Sequence, residues 1–136
     1  MTDIKIVKGW LDEGCTLALV KGDEVYTSRK KGVRPLLEFL DTGMDFSRFS
    51  AADKVVGRGA AFIYLALGVR HVYASVISES ALRLLTEGGI AVEFGKVVPR
   101  ILNRSGDGFC PIESAVMDTK STEAAISAIR KRLSEL

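Results

Sequence analysis

The stretch Ser50–Leu67, SAADKVVGRGAAFIYLAL, decides how this chain is read. Val55, Val56, Ala60, Ala61, Phe62, Ile63, Leu65, Ala66 and Leu67 place apolar groups almost all the way round a helical projection. A helix of that kind is buried on most of its sides. Ser50 with Asp53 three positions on makes a cap-like start, and Gly68 makes a stop. The spacing therefore predicts one central helix over 50–67. Gly57 and Gly59 fall inside it, and each costs about 1 kcal/mol against alanine. Close approach of a neighbouring element or a ligand has to offset that cost. As a dinucleotide-binding signal, Gly57-x-Gly59 is weak: it lies within a predicted helix rather than after a strand, and Phe62 stands where the last glycine belongs.

Working outward, Val69–Ile77 is rich in β-branched residues and predicts a strand. Ser78–Glu87 predicts a helix with Ala81, Leu82, Leu84 and Leu85 on one side, ended by Gly88-Gly89. Ile90–Val98 is a second strand. A polar, glycine-rich loop, Asn103-Arg104-Ser105-Gly106-Asp107-Gly108, precedes a helix opened by Cys110-Pro111, and Ser121–Leu136 is the last helix. Toward the N-terminus, Ile4, Val7, Trp10 and Leu11 predict an amphipathic helix over 3–13. Thr16–Val20 and Val25–Ser28 flank Gly22-Asp23 as a β-hairpin. Pro35 then opens a short helix that stops around Gly43.

Strand–helix–strand with a short turn calls for a right-handed parallel crossover. The expected fold is α/β: a three-layer α-β-α domain over 1–136, its mixed sheet combining an N-terminal hairpin with parallel strands. The 136 residues suffice for one core, and the net charge of +2 gives no argument for nucleic acid or anionic membrane as a partner. No apolar run is long enough to span a bilayer. Two cysteines without CxxC spacing, and no signal-peptide core in MTDIKIVKGW, predict free thiols in a cytoplasmic protein.

Ligands of parallel α/β units bind beyond the carboxyl ends of the strands. The turn at Gly68 sends the central helix antiparallel to the strand after it, so the region Asp53–Arg58 reaches that edge. Ser78-Glu79-Ser80 and the loop 99–109 leave their strands at the same place. Helix N-termini there offer unpaired N–H groups, with Lys54, Arg58, Arg100 and Arg104 nearby in sequence, which predicts an anion-binding pocket. Cys110 occupies an N-cap place and is a candidate nucleophile, with Glu113 or Asp53 assisting. The plainer reading of Cys110 is a packed thiol, and of Glu113 the partner in a capping box. Cys15 reads as core. The expected ligand-binding set is Lys54, Gly57, Arg58, Ser78, Asn103 and Arg104.

This order of elements resembles the cytidine-deaminase-like superfamily, in which (H/C)-A-E on one helix N-terminus and P-C-x-x-C on the next hold zinc. The runs ADKVVGRGAA (52–61), VISESALRLL (76–85), ILNR (101–104) and CPIE (110–113) more closely resemble the family catalogued as domain of unknown function 1893, which is placed in that superfamily. The resemblance implies the fold. It does not carry over the zinc chemistry, because Val56-Gly57-Arg58-Gly59-Ala60-Ala61 and Ser78-Glu79-Ser80-Ala81 lack the ligands and the catalytic glutamate. The single histidine, His71, is expected at the opposite edge. Three readings follow, with no metal or cofactor in any of them. The first is a zinc-free deaminase-like fold holding a small anionic or nucleotide-like ligand, the second an enzyme using Cys110, and the third a module that forms a homodimer or docks on a partner.

Overall fold

The computed structural model describes residues 2–102, 106, 108 and 110–136. The elements are α1 (Asp3–Asp12), β1 (Leu17–Lys21), β2 (Glu24–Ser28), α2 (Arg34–Asp41), β3 (Ser50–Val56), α3 (Arg58–Leu67), β4 (His71–Ser78), α4 (Glu79–Glu87), β5 (Ala91–Val98), α5 (Pro111–Val116) and α6 (Thr122–Glu135). One sheet holds the five strands in the order β2-β1-β3-β4-β5. β1 runs antiparallel to both β2 and β3, and β3, β4 and β5 are mutually parallel.

The expected hairpin is present, with Lys21 paired to Glu24 across Gly22-Asp23. Gly22 takes a φ of 57° at the first turn position, where a two-residue hairpin loop favours glycine. α4 opens on a cap that the sequence reading did not single out: the Ser78 hydroxyl, expected to face a ligand, accepts from the Ala81 N–H at 3.1 Å.

The predicted central helix over 50–67 is corrected. Residues 50–56 are a strand, Gly57 is the extended N-cap, and only Arg58–Leu67 is helical. The Ser50–Asp53 helix cap is therefore overturned as well. The physical reason is two-sided burial. Ala51 packs into the larger core and Ala52 into the smaller one on the opposite face, so the strand lacks the alternation that would distinguish it. A short, nearly continuous apolar run is ambiguous between buried strand and buried helix. The structure also places Gly57 after a strand and at the opening of a helix, not within one.

Three layers result. Among the described residues α1 alone covers one face of the sheet, packing Val7 and Leu11 against Ala18, Val20 and Ala52. On the other face Leu19, Ala51, Val72 and Ala74 meet Leu36 of α2, Phe62 and Ile63 of α3, Leu85 of α4, Val116 of α5 and Ile129 of α6. The parallel arrangement is larger than the expected pair of strands, because β3 joins β4 and β5. Among the described residues no helix is long and apolar enough to cross a membrane.

Candidate functional site

The carboxyl ends of β3 and β4 turn directly into α3 and α4, which sets two helix N-termini side by side. Arg58, the first residue of α3, ties them together. Its Nη1 donates to Ser80 Oγ at 2.8 Å, its Nε donates to the Val116 carbonyl at 3.0 Å, and its Nη2 donates to the Thr119 carbonyl. The guanidinium carbon lies 5.0 Å from the Phe62 ring centre. One cation thus joins α3, α4 and the end of α5.

Glu113 of α5 completes the junction. Its two carboxylate oxygens accept from the backbone N–H groups of Arg58 at 2.6 Å and of Gly59 at 2.9 Å. A carboxylate is favoured at a helix N-terminus by the unpaired donors and the helix dipole. The capping-box expectation for Glu113 is corrected here: it serves α3 rather than its own helix, and the Cys110 N–H bonds the Ile101 carbonyl at 3.3 Å instead. The glycines at 57 and 59 now have a cause. A Cβ on Gly57 would run into the Glu113 carboxylate, and one on Gly59 would lie 2.7 Å from Ile112 Cγ2.

Glu113 also forms part of the wall of two cavities. The larger, about 400 Å³, gathers Asp53, Lys54, Gly57, Cys110 and Glu113 from the predicted set. Leu17, Val33, Val55, Ala60 and Leu102 make its walls predominantly apolar, and Lys30 and Lys31 stand at it as well. Cys110 is half-buried there as the N-cap of α5, without a side-chain capping bond. The smaller cavity, about 140 Å³, contains Arg58 and Ser78 with Ser80 and Arg100. The predicted residues are therefore divided between two spaces on either side of Glu113. Asn103 and Arg104 lie outside the described residues. Cys15 is buried, and His71 is at the start of β4, with Nε2 2.9 Å from Glu93 Oε2.

Asp53 is half-buried on β3 and accepts a hydrogen bond from the Tyr64 hydroxyl of α3 at 2.8 Å. Burial pushes its carboxyl up from 3.8 to about 7, outweighing the opposing effect of the Tyr64 hydroxyl and of the Lys54 and Val55 N–H groups. The Tyr64 hydroxyl is itself held well above its ordinary range by burial and by the adjacent carboxyl. A carboxyl near neutrality in a largely apolar pocket is able to carry a proton or accept one. Sequence reasoning misses Tyr64, Lys30 and Lys31. Their traces are a hydroxyl inside an otherwise apolar helical run and a pair of adjacent lysines before Gly32.

The residues do not fit a zinc ion. The side chains that open α3 and α4 are the Arg58 guanidinium, the Ser78 and Ser80 hydroxyls and the single carboxylate of Glu79, with no thiolate or imidazole. Among the described residues no group of three His, Cys, Asp or Glu side chains is placed to hold a metal.

Fold and site together define a three-layer α/β domain with a pocket at the carboxyl edge of its parallel strands. The family model "TM1506: Domain of unknown function (DUF1893)" matches residues 5–133, and the chain belongs to that family. It is similar to the crystal structure of a DUF1893 family protein (TM1506) from Thermotoga maritima, with a TM-score of 0.83 and 28% identity over 97% of this chain and 88% of the other. A search of curated proteins gave no match.

Proposed function

We propose that this chain is a zinc-free, cytidine-deaminase-like protein that binds a small nucleotide-like anion in the pocket between β3 and α5. The observation that carries this reading is the larger cavity, in which an apolar interior, a carboxyl without a cation partner among the described residues and exposed lysines occur together. A volume of about 400 Å³ falls within the range of small-molecule sites, which are typically apolar with a few placed polar groups. Apolar walls suit a flat ring. Lys31 and Lys54 are exposed and make no ion pair among the described residues, so they are available to an anionic substituent. Lys30 is less available, since its Nζ lies 3.8 Å from Glu38.

The strand–Gly57–helix turn has the shape of a phosphate site, but the Glu113 carboxylate occupies its donors. Arg58 and Ser78 support the pocket from behind in this reading, and the lysines take the anion. Support for a nucleophilic Cys110 is thinner. The thiol shares the pocket with Asp53, yet Glu113, one of its two candidate assistants, is committed to α3. Support for a docking module is thinner still, because the exposed Trp10, Phe94 and Met117 lie on separate elements. The free thiols of Cys15 and Cys110 accord with a cytoplasmic protein.

Calorimetric titration with AMP and adenosine tests the proposal. AMP is expected to bind more tightly than adenosine. A Lys31→Ala, Lys54→Ala double variant should lose about tenfold in AMP affinity, the scale of one or two exposed charge contacts, while adenosine is unaffected. Equal affinities for AMP and adenosine in the unaltered protein would overturn the assignment of the lysines.

A further inference from the structure

We propose that β2 is a homodimer interface, through which two copies of this chain join their sheets by antiparallel pairing of β2 with β2 about a two-fold axis at Tyr26. The proposal is independent of the ligand-binding reading. β2 is an edge of the sheet and pairs with β1 alone. A bare edge presents unpaired backbone donors and acceptors, which an added strand satisfies. Pairing of that kind needs no broad apolar patch.

β2 and its flanks are complementary to a second copy of themselves. Directly opposed residues of an antiparallel pair point to the same face, so a two-fold axis has to fall on a residue and not between two. The five residues of β2 can therefore all pair with themselves, whereas the eight of β5, the other edge, cannot. With the axis on Tyr26, Val25 lies opposite the partner's Thr27. One step beyond the strand, Asp23 lies opposite the partner's Arg29, with Glu24 diagonal to the partner's Lys30. The strand is entered through acidic residues, Asp23 and Glu24, and left through basic ones, Arg29, Lys30 and Lys31. Antiparallel pairing thus brings unlike charges together at both ends, and parallel pairing would align like with like. Asp23 is exposed and makes no ion pair among the described residues. Arg29 donates through Nη2 to the Glu13 carbonyl and keeps further N–H groups for a carboxylate.

The flanking side chains favour the same edge. Val25 lies opposite Val20, on the face that α1 covers, and is 40% exposed. α1 lies along β2: the Asp3 carboxylate accepts from the Gly22 N–H at 3.4 Å at one end, and Arg29 reaches the Glu13 carbonyl at the other. Trp10, two turns after Asp3 and on the same helix face, is turned toward β2 and is 36% exposed. A second β2 extends the floor beside Trp10 and covers the outer side of Val25. On the opposite face the ring of Tyr26 is held by Phe39, Phe46 and Phe49, so the residue on the axis is already fixed.

Analytical ultracentrifugation of the full chain from about 1 to 200 µM is expected to show a reversible monomer–dimer equilibrium. Val25→Lys puts a charge on the newly covered face, and Asp23→Lys sets two like charges opposite each other at each end. Each should weaken the dimer at least about tenfold. Adding Arg29→Asp to Asp23→Lys reverses both members of the pair and should recover most of the loss. The substituted side chains are all exposed, and circular dichroism checks that each variant keeps the fold. A chain that stays monomeric throughout overturns the proposal and leaves the edge to a different partner. A dimer indifferent to Val25→Lys and Asp23→Lys forms elsewhere and overturns it too, as does a double variant no tighter than Asp23→Lys alone.

Discussion

Arg58 and Asp53 lie on either side of Gly57, and they reach opposite conditions. The Arg58 guanidinium is answered by Ser80, Val116 and Thr119, with Phe62 beneath it. Asp53 has one hydroxyl from Tyr64 and two neighbouring backbone N–H groups, and its carboxyl is displaced toward neutrality. A charge whose partners come from several elements is characteristic of a scaffold, because removing it leaves polar atoms stranded. A desolvated carboxyl beside a cavity keeps capacity for a ligand. In the function proposed above, the contrast gives assembly to the Arg58 side of Glu113 and recognition to the Asp53 side.

The strongest way to break this comparison is Arg58→Ala. It takes the guanidinium donors from the Thr119 carbonyl and the Ser80 hydroxyl and one donor from the Val116 carbonyl, which keeps the Thr119 hydroxyl, and is expected to cost about 3 kcal/mol in urea unfolding. A loss below about 1 kcal/mol would mean that the cation does not hold the three helices together. Gly57→Ala should follow at about 2–3 kcal/mol, since its Cβ displaces the Glu113 carboxylate from the α3 N-terminus. Pairing it with Glu113→Ala tests the cause: the two losses should be well short of additive if both act through the same contact.

Asp53→Asn sharpens the comparison with the smallest effect and the opposite sign. The folded carboxyl titrates near 7 against 3.8 for an exposed group, so between those values the folded state binds more protons than the unfolded one. Stability is thus greatest below about pH 4 as far as this group is concerned, declines as pH rises through 7, and is level above that. The variant should remove the decline and be more stable than the parent at pH 8 by about 2 kcal/mol, with little difference near pH 4. Thermal unfolding across that range measures it, and an unchanged pH profile would show that Asp53 is not desolvated.

Much of the layout is legible in the sequence because it depends on connectivity rather than on every element. Gly68 and Ser78 place the α3 and α4 N-termini at one edge whether residues 50–56 are strand or helix. The convergence of those N-termini at one edge therefore holds although β3 replaces the first half of the expected helix. Local pattern fails where both faces of a strand are buried, as at Ala51 and Ala52. It fails again at Glu113, whose spacing from Cys110 imitates a local cap while its real partners lie more than 50 residues earlier in the chain. No short-range rule carries a contact of that separation. Tyr64 is hidden for a related reason: it reads as one more aromatic in an apolar helix until Asp53 is found beside it.

The reach of Glu113 back to α3 also fixes an order of events during synthesis. Domains emerge from the ribosome N-terminus first, so β3 and α3 leave the exit tunnel before α5 does. Until then the α3 N–H groups have water alone as their partner, and the wall that α5 contributes to the larger cavity does not exist. A closed pocket must wait for the last quarter of the nascent chain, which makes the larger cavity one of the latest parts of the molecule to be born.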